Sequence, residues 1–280
     1  MMDKSEKREL TLKAYQLRRT LLDTIRSAGS GHIGGSMSVA DILAVLYYRE
    51  MNVDPKDPDK ADRDRLVLSK GHCSPALYSV LAMKGFFPTE HLKTFRRMDS
   101  DLSGHVAIHV PGVDMSAGSL GQGLSVALGM AMYGKCRHYG NTVYAIMGDG
   151  EIQEGQLWEA AMAAGFYKVD NLIAFVDNNK IQLDGHLSEV MDPDPIDEKF
   201  RAFGWNVYKV DGHDVEQLAD AIELARAAKG KPGMIVADTI KGKGSSVFED
   251  QVRFHGGQPT EEEWETAFRD IDEKIAELEG

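Results

Sequence analysis

Short apolar runs alternate along the chain with segments whose apolar residues recur every three or four positions. A run of four to eight apolar residues is typical of a buried strand, and the longer spacing is typical of a helix. Strands that alternate with helices predict an α/β fold, a parallel sheet with helices on both faces. The predicted strands lie at about 65–69, 143–148, 172–176, 205–210 and 234–239.

Helical spacing is clearest near the two ends of the chain. Apolar residues at helical intervals predict a helix over 8–28, and Ser36 or Ser38 could cap a second helix in VADILAVLYYREM. The C-terminal segment predicts an amphipathic helix at about 260–279, and packing on its own domain is favoured over docking on a partner. Its apolar face carries Trp264, Phe268, Ile271, Ile275 and Leu278.

Length and charge narrow the class of protein. A chain of 280 residues with 42% hydrophobic content predicts one domain, 1–280, with a full core. The formal charge of −12 argues against nucleic acid and anionic membranes as partners, but a phosphorylated small molecule fits a local site. No apolar stretch approaches about twenty residues, so no membrane span is expected. Two cysteines, Cys73 and Cys136, without a CxxC pair or a signal peptide predict a cytoplasmic protein.

Two predicted strands end in polar clusters, GDGE at 148–151 and DNN at 177–179. Because ligands bind beyond the carboxyl ends of parallel strands, we expect Asp149 and Asn179 to face one crevice. A carboxylate and an amide make a half-site for Mg²⁺, which commonly takes further oxygen ligands from phosphates. A helix cap and a turn would explain either cluster alone. The two clusters together favour a metal-bridged diphosphate.

The text around these clusters resembles a known family. GDG, about thirty residues and NN resemble the signature of thiamine diphosphate enzymes, and GDGEIQEG…NNKIQLDG is similar to the transketolase branch. The resemblance implies a thiamine diphosphate-binding fold in which Asp149, Asn179 and the backbone carbonyl of Ile181 hold Mg²⁺. It further assigns to the cofactor Gly148, Gly150 and, against the thiazolium ring, Leu183.

Four histidines lie in loops rich in glycine or serine, where functional residues are common. An imidazole can donate, accept and transfer protons near neutral pH. The motifs SGHIGGS, SKGHCSP, SGHVAIHVPG and RFHGG resemble transketolase motifs. The resemblance implies that His32 and His255 serve substrate oxygens and proton transfer, that His72 binds diphosphate and that His105 binds a donor hydroxyl. It also places Gly118 and Leu120 against the cofactor rings.

Some residues depart from the family pattern or match nothing in it. The family usually has proline where this chain has Ile33 and Ser119, which leaves loop shape and substrate choice open. Lys241 and Lys243 either meet a phosphate or belong to a solvated loop. The remaining histidines are expected to be ordinary surface or core residues: His91, His109, His138, His186 and His213.

The resemblance covers about 10–260 but only the diphosphate-binding domain, because a transketolase is more than twice as long. In the family a second domain binds the aminopyrimidine, supplies an activating glutamate and carries most sugar-phosphate anchors. The chain therefore resembles the N-terminal subunit of a split transketolase whose C-terminal subunit is a separate chain. A self-dimer within a heterotetramer is implied, with 117–131 near the interface. Glu154 would link the paired cofactor sites, or it is an exposed acid at a helix start.

The implied reaction is transfer of a two-carbon ketol unit from a ketose phosphate to an aldose phosphate, with thiamine diphosphate and Mg²⁺ as cofactors. One alternative is another thiamine diphosphate enzyme, such as a 2-oxoacid dehydrogenase alpha subunit or half of a deoxyxylulose phosphate synthase. A non-catalytic thiamine diphosphate-binding module is a second alternative. The sequence does not identify the sugars.

Overall fold

The computed structural model describes residues 2–280 and contains a five-stranded sheet with order β1-β2-β3-β5-β4. All neighbouring strands are parallel, and each lies within two residues of its predicted position. The prediction of an α/β fold with a parallel sheet is therefore confirmed. The strands are β1 Arg65–Leu68, β2 Val143–Gly148, β3 Leu172–Asn178, β4 Asn206–Asp211 and β5 Gly233–Asp238.

Helices cover both faces of the sheet, as predicted. Tyr144 and Ile146 of β2 point into one apolar core, and Val143 and Ala145 point into the other. None of the helices within residues 2–280 combines the length and apolar composition that crossing a membrane requires. The helices are α1 Lys4–Ala28, α2 Ile33–Ser38, α3 Ala40–Val45, α4 Ser74–Lys84, α5 Gly123–Arg137, α6 Gly155–Phe166, α7 Leu187–Val190, α8 Ile196–Ala202, α9 Val215–Ala227 and α10 Glu261–Glu279.

Strand position explains the strand sequences. The central strand β3 is buried along its whole length, as a continuous apolar run predicts for a strand covered on both faces. The edge strand β4 is partly exposed at most positions. Gly148 pairs with Asp177, which pairs with Ala237, so the carboxyl ends of β2, β3 and β5 lie side by side. Polar residues just after these strands therefore share one edge of the sheet.

The second helical region begins earlier than predicted. His32 is the N-cap of α2, and the helix starts at Ile33, so the prediction that Ser36 or Ser38 caps this region is wrong. The Ser36 hydroxyl donates to the His32 carbonyl at 2.6 Å, and the Ser38 hydroxyl donates to Asp177 at 2.7 Å. Ile33 occupies the first helical position, where proline is also favourable, so the exchange of proline for isoleucine leaves the helix start intact.

The C-terminal helix α10 begins with a capping box formed by Thr260 and Glu263. Its apolar face is buried at Trp264 and Phe268 and packs against α1 of the same chain. The Arg19 guanidinium of α1 lies 4.2 Å from the centre of the Phe268 ring. The end of the chain is thereby fixed to its beginning, on the face of the sheet that α1 covers.

Candidate functional site

A cleft of about 390 Å³ opens at the carboxyl ends of β2, β3 and β5. Every residue that the sequence singled out for chemistry or cofactor binding lines it. These are His32, His72, His105, Gly118, Leu120, Gly148, Asp149, Gly150, Glu154, Asn179, Ile181, Leu183 and His255. The parallel topology brings the loops of five separate segments to one place.

A larger cavity of about 760 Å³ lies elsewhere, between α1 and the segment 89–97. Its charged lining is mixed, with acids at Asp23 and Glu90 and cations at Arg26 and Lys93. None of the residues predicted for the site lines this cavity. We therefore place the chemistry in the smaller cleft, where the histidines and oxygen ligands converge.

The predicted metal ligands form a set of oxygen donors. One Asp149 carboxylate oxygen accepts from the Gly150 N–H at 2.8 Å, and the other accepts from the Lys180 N–H. The Asn179 amide oxygen accepts from the Ile181 N–H at 3.2 Å. A Cβ built on Gly150 would lie 3.0 Å from the Gln182 Cβ, so the two loops that carry these donors are in contact.

This donor set suits Mg²⁺. A carboxylate, an amide oxygen and a carbonyl are hard oxygen ligands, and Mg²⁺ takes few protein ligands of this kind alongside phosphate and water. Within residues 2–280, no three His, Cys, Asp or Glu side chains converge as a closed metal cage. Burial, together with the charge of Asp177, raises the pKa of Asp149 to about 6, so a bound cation would favour its ionised form.

Asp177 is the centre of a buried polar network. Its carboxylate accepts from the Lys70 ammonium, the Thr239 hydroxyl and the Ser38 hydroxyl, and also from the Asn179 amide at 3.1 Å. Burial alone would raise the pKa of Asp177, but the charge of Lys70 holds it below its usual value. The network fixes a metal-ligating amide and a cation beneath the cleft.

Lys241 is the second buried cation of the cleft. Its ammonium donates to the Ile181 carbonyl at 2.7 Å and lies 2.9 Å from the His255 Nδ1. Burial, together with the charge of Lys70, lowers the pKa of Lys241 to about 8. Lys243 instead pairs with Glu249 at 3.2 Å. Of the two lysines that the sequence left open, Lys241 belongs to the site.

Glu151 holds three loops together beneath the cleft. Its carboxylate accepts from the Gly121 N–H at 2.9 Å, from the Gly148 N–H at 3.0 Å and from the Ser69 hydroxyl. The Ser69 hydroxyl in turn accepts from the Gly123 N–H at 3.1 Å. Burial raises the pKa of Glu151. We call the buried residues Ser69, Lys70, Glu151 and Asp177 the floor of the cleft.

The four loop histidines form a compact cluster above the floor. The His32 ring lies 5.1 Å from His72, 5.9 Å from His105 and 5.6 Å from His255, measured between ring centres. The rings of His72 and His255 stack at 5.3 Å. A small ligand in the cleft can therefore meet several imidazoles at once.

Burial makes these imidazoles neutral. It lowers the pKa of His32 to about 4 with help from Arg96, and the pKa of His255 to about 3 with help from Lys241. The pKa of His72 lies well below its usual value, and that of His105 is lowered, in both cases mainly by burial. A neutral imidazole carries one donor and one acceptor, which suits a group of sugar hydroxyls.

The opposite side of the cleft is open. We call Gly118, Leu120, Glu154 and Leu183 its mouth. Leu183 is 62% exposed although it is apolar, and Gly118 and Glu154 are exposed as well. Gly121 has a φ of +82° and its Cβ would lie 2.5 Å from the Glu154 Cβ, so only glycine permits this turn against Glu154.

The sequence missed several residues of the site. Lys70 looked like a surface lysine, and Glu151 looked like an acid at a helix start. Their position beside His72 and Asp149 was the available signal. Of the histidines left as ordinary, His91 pairs with Asp101 at the surface. His213 is the exception, because both of its ring nitrogens are bonded within the chain.

Comparison with known proteins agrees with this geometry. The model of the family described as "Transketolase, thiamine diphosphate binding domain" matches residues 11–271. The transketolase from Campylobacter jejuni superposes with a TM-score of 0.85 and 32% identity, over 97% of this chain. The chain covers 48% of that solved protein, about half its length.

Other similar proteins have about the length of this chain. The 6-deoxy-6-sulfo-D-fructose transketolase subunit SqwG of Clostridium sp. (strain MSTE9) is 47% identical over 96% of this chain and 98% of its own length. One of the subunits named for an apulose-4-phosphate transketolase, from Phocaeicola vulgatus, is 41% identical over 96% of both chains.

Proposed function

The chain belongs to the transketolase family through its thiamine diphosphate-binding domain, and from that premise we propose that it is the N-terminal subunit of a two-chain transketolase. It spans about half of a solved transketolase, whereas two similar proteins of its own length carry the word subunit in their names. We propose that residues 1–280 act as one diphosphate-binding domain.

The observation that carries this proposal is the asymmetry of the cleft. The diphosphate side has a floor of buried, bonded groups, whereas the mouth is exposed at Leu183 and Glu154. The acids that line the cleft are Asp149, Glu151 and Glu154. Asp149 and Glu151 are held by backbone N–H groups, and Glu154 is exposed. We therefore assign the activating glutamate to a C-terminal subunit that covers the mouth.

The cofactors that fit the floor are thiamine diphosphate and Mg²⁺. Asp149, Asn179 and the Ile181 carbonyl would hold Mg²⁺ once Lys241 gives up its bond to that carbonyl. Lys70, Lys241 and His72 would surround the diphosphate. Gly118 and Leu120 would contact the cofactor rings, and Glu154 would link paired cofactor sites.

Bound thiamine diphosphate supplies the nucleophilic carbon and the electron sink for ketol transfer. The chain supplies binding, orientation and proton transfer. Because His32, His105 and His255 are neutral, each can accept a proton from one sugar hydroxyl or donate one. We assign His32 and His255 to proton transfer at substrate oxygens, and His105 to a hydroxyl of the donor.

We propose a ketose phosphate or sulfonate as donor and an aldose phosphate as acceptor. The sulfonated ketose in the name of the similar subunit SqwG makes 6-deoxy-6-sulfofructose a donor to test beside xylulose 5-phosphate. Anchors for the anionic end of the sugar are expected from the partner subunit. A cytoplasmic location is supported by a free, exposed thiol at Cys136, which suits a reducing compartment.

A second copy of this chain is the proposed occupant of the adjacent faces of α5 and α6. These faces expose large apolar side chains at Val126, Tyr133, Met162 and Phe166, with Phe166 77% exposed. Two copies joined here, each with a C-terminal subunit, would give a heterotetramer. The measurement is sedimentation velocity, in which Phe166→Arg should dissociate the self-dimer and Leu224→Arg on α9 should not.

The direct test mixes the chain with a C-terminal transketolase subunit, Mg²⁺ and thiamine diphosphate, and assays ketol transfer to ribose 5-phosphate. We expect activity in the mixture alone. Asp149→Ala should abolish this activity, and the exposed Asp220→Ala should keep it. Activity of the isolated chain would contradict the two-chain proposal. Cofactor binding in an inactive mixture would favour a non-catalytic module.

A further inference from the structure

His213 lies outside the cleft, just beyond the carboxyl end of β4, and its ring joins two distant segments. Its Nδ1 lies 2.7 Å from an Asp41 carboxylate oxygen, and its Nε2 accepts a hydrogen bond from the Ile240 N–H at 2.8 Å. The side chain is only 12% exposed. An imidazole buried between a carboxylate and a backbone amide has a defined protonation state.

The Ile240 partner fixes the tautomer of His213. A backbone N–H can only donate, so Nε2 must carry the lone pair and Nδ1 the proton. The Nδ1–H then donates to Asp41, and both ring nitrogens are satisfied. In this state the ring can accept from the peptide of Ile240 in one orientation.

Asp41 is itself fixed by a buried cation. The Arg18 guanidinium forms two hydrogen bonds to the Asp41 carboxylate, and both side chains are almost fully buried. Burial alone would raise the pKa of Asp41, but Arg18 and His213 lower it to about 2. Buried ion pairs add little net stability, and their best-attested use is to specify position. The chain Arg18–Asp41–His213 therefore aims one acceptor at the Ile240 amide.

The Ile240 amide is the last fixed point before Lys241. The preceding amide, Thr239 N–H, donates to the Asn178 carbonyl at 3.2 Å, which continues the β5 ladder. Beyond it, the Lys241 stem crosses Gly34 so closely that a Cβ there would lie 2.8 Å from the Lys241 Cγ. A small rotation of the Ile240 peptide would move the ammonium away from the Ile181 carbonyl.

We propose that His213, held in one tautomer by Asp41 and Arg18, is a positioning residue that fixes Lys241 against Ile181 and His255 at the diphosphate end of the cleft. This inference rests on the proposed function for the identity of the ligand. The hold of His213 on the loop at 239–243 does not depend on that ligand.

The hold is measured by amide hydrogen exchange in the ligand-free full-length chain. His213→Phe removes the acceptor, so exchange at Ile240 should rise by about tenfold or more, as expected when a local opening becomes easier. His213→Gln offers a carbonyl oxygen and an N–H in similar places and should restore much of the protection. His109→Phe controls for loss of an exposed imidazole. Unchanged exchange at Ile240 in His213→Phe would overturn the proposal.

The action through Lys241 is measured by a double-mutant cycle on the affinity of the chain for Mg²⁺ and inorganic pyrophosphate. His213→Phe should weaken binding about tenfold, a coupling typical of interacting residues. In a Lys241→Met background the same change should have no further effect. Equal weakening in both backgrounds would overturn the action through Lys241.

Two outcomes separate this inference from the proposed function. Absence of pyrophosphate binding by the unaltered chain would count against the proposed diphosphate site, and the exchange experiment would then decide the hold of His213. If His213→Phe fails to fold, the milder Asp41→Asn takes its place. It removes the charge that fixes the tautomer, and it should raise Ile240 exchange with the same dependence on His213.

Discussion

The floor and the mouth of the cleft are built in opposite ways. In the floor, Asp177 and Glu151 are almost fully buried, yet hydrogen-bond donors surround both carboxylates. At the mouth, Leu183 presents an apolar side chain to solvent and Glu154 is exposed. One side is complete within this chain, and the other resembles half of an interface.

This difference separates what the chain can do alone from what it cannot. A buried charge costs free energy unless it is paired, so the floor must be assembled during folding and is ready before any ligand arrives. The exposed Leu183 gains nothing from the folded chain itself. The floor should therefore govern stability and diphosphate binding, whereas the mouth should govern events that need the partner.

The largest effect is expected for Asp177→Asn in the floor. It removes the charge opposite Lys70 while keeping the shape, and loss of one partner of a buried ion pair typically costs about 3–5 kcal/mol. We expect that loss in the free energy of unfolding, measured with denaturant. The matched control is Asp238→Asn, at the neighbouring strand end but 55% exposed, which should change stability by less than about 0.5 kcal/mol. Equal losses would mean that burial does not distinguish these positions.

The next effect compares one glutamate from each side. Glu151→Gln places an amide N–H₂ against the Gly121 or Gly148 N–H, and a buried donor without an acceptor costs about 1–3 kcal/mol. Glu154→Gln should leave stability within about 0.5 kcal/mol, because the side chain is exposed. In the assay with a partner subunit, Glu154→Gln should still lower activity. If both variants were equally stable, the floor would not be preassembled.

The third effect is a pH dependence from the histidine cluster. Because the pKa of His32 is lowered to about 4, the unfolded chain takes up a proton before the folded chain does. His32 therefore contributes full stability above about pH 6.5, and this contribution falls as the pH drops toward about 4. Unfolding of His32→Gln should depend less on pH over this range than that of the unaltered chain. His138→Gln controls for loss of an imidazole, and parallel pH profiles for His32→Gln and the unaltered chain would refute the prediction.

The same contrast explains how much the sequence could predict. The strands were located within two residues because β2, β3 and β5 are covered on both faces and read as continuous apolar runs. The meeting of Asp149 and Asn179 follows from parallel strands that end in polar clusters. These features depend on local pattern and on topology, which periodicity reveals.

The floor could not be predicted in the same way. The burial of Lys70 depends on Asp177, which lies 107 residues further along the chain. The Glu151 carboxylate is buried by loops that arrive from 69 and from 121–123. A charged residue that satisfies its partners only after the fold has formed leaves no local pattern. The same reason hid His213, whose partners Asp41 and Ile240 belong to other segments.

The smallest effect on the isolated chain, and the sharpest test of the contrast, is expected at the mouth. Leu183→Ala should change the free energy of unfolding by less than about 0.5 kcal/mol, because the side chain is 62% exposed. The same truncation at Leu157, fully buried in α6, should cost about 2–5 kcal/mol. Once a partner and thiamine diphosphate are added, the order should reverse for Leu183, because a covered apolar side chain gains about 1.5–3 kcal/mol from burial. Calorimetric titration of the cofactor into the mixed subunits should thus show weaker binding for Leu183→Ala, and unchanged binding would mean that the mouth stays open in the assembled enzyme.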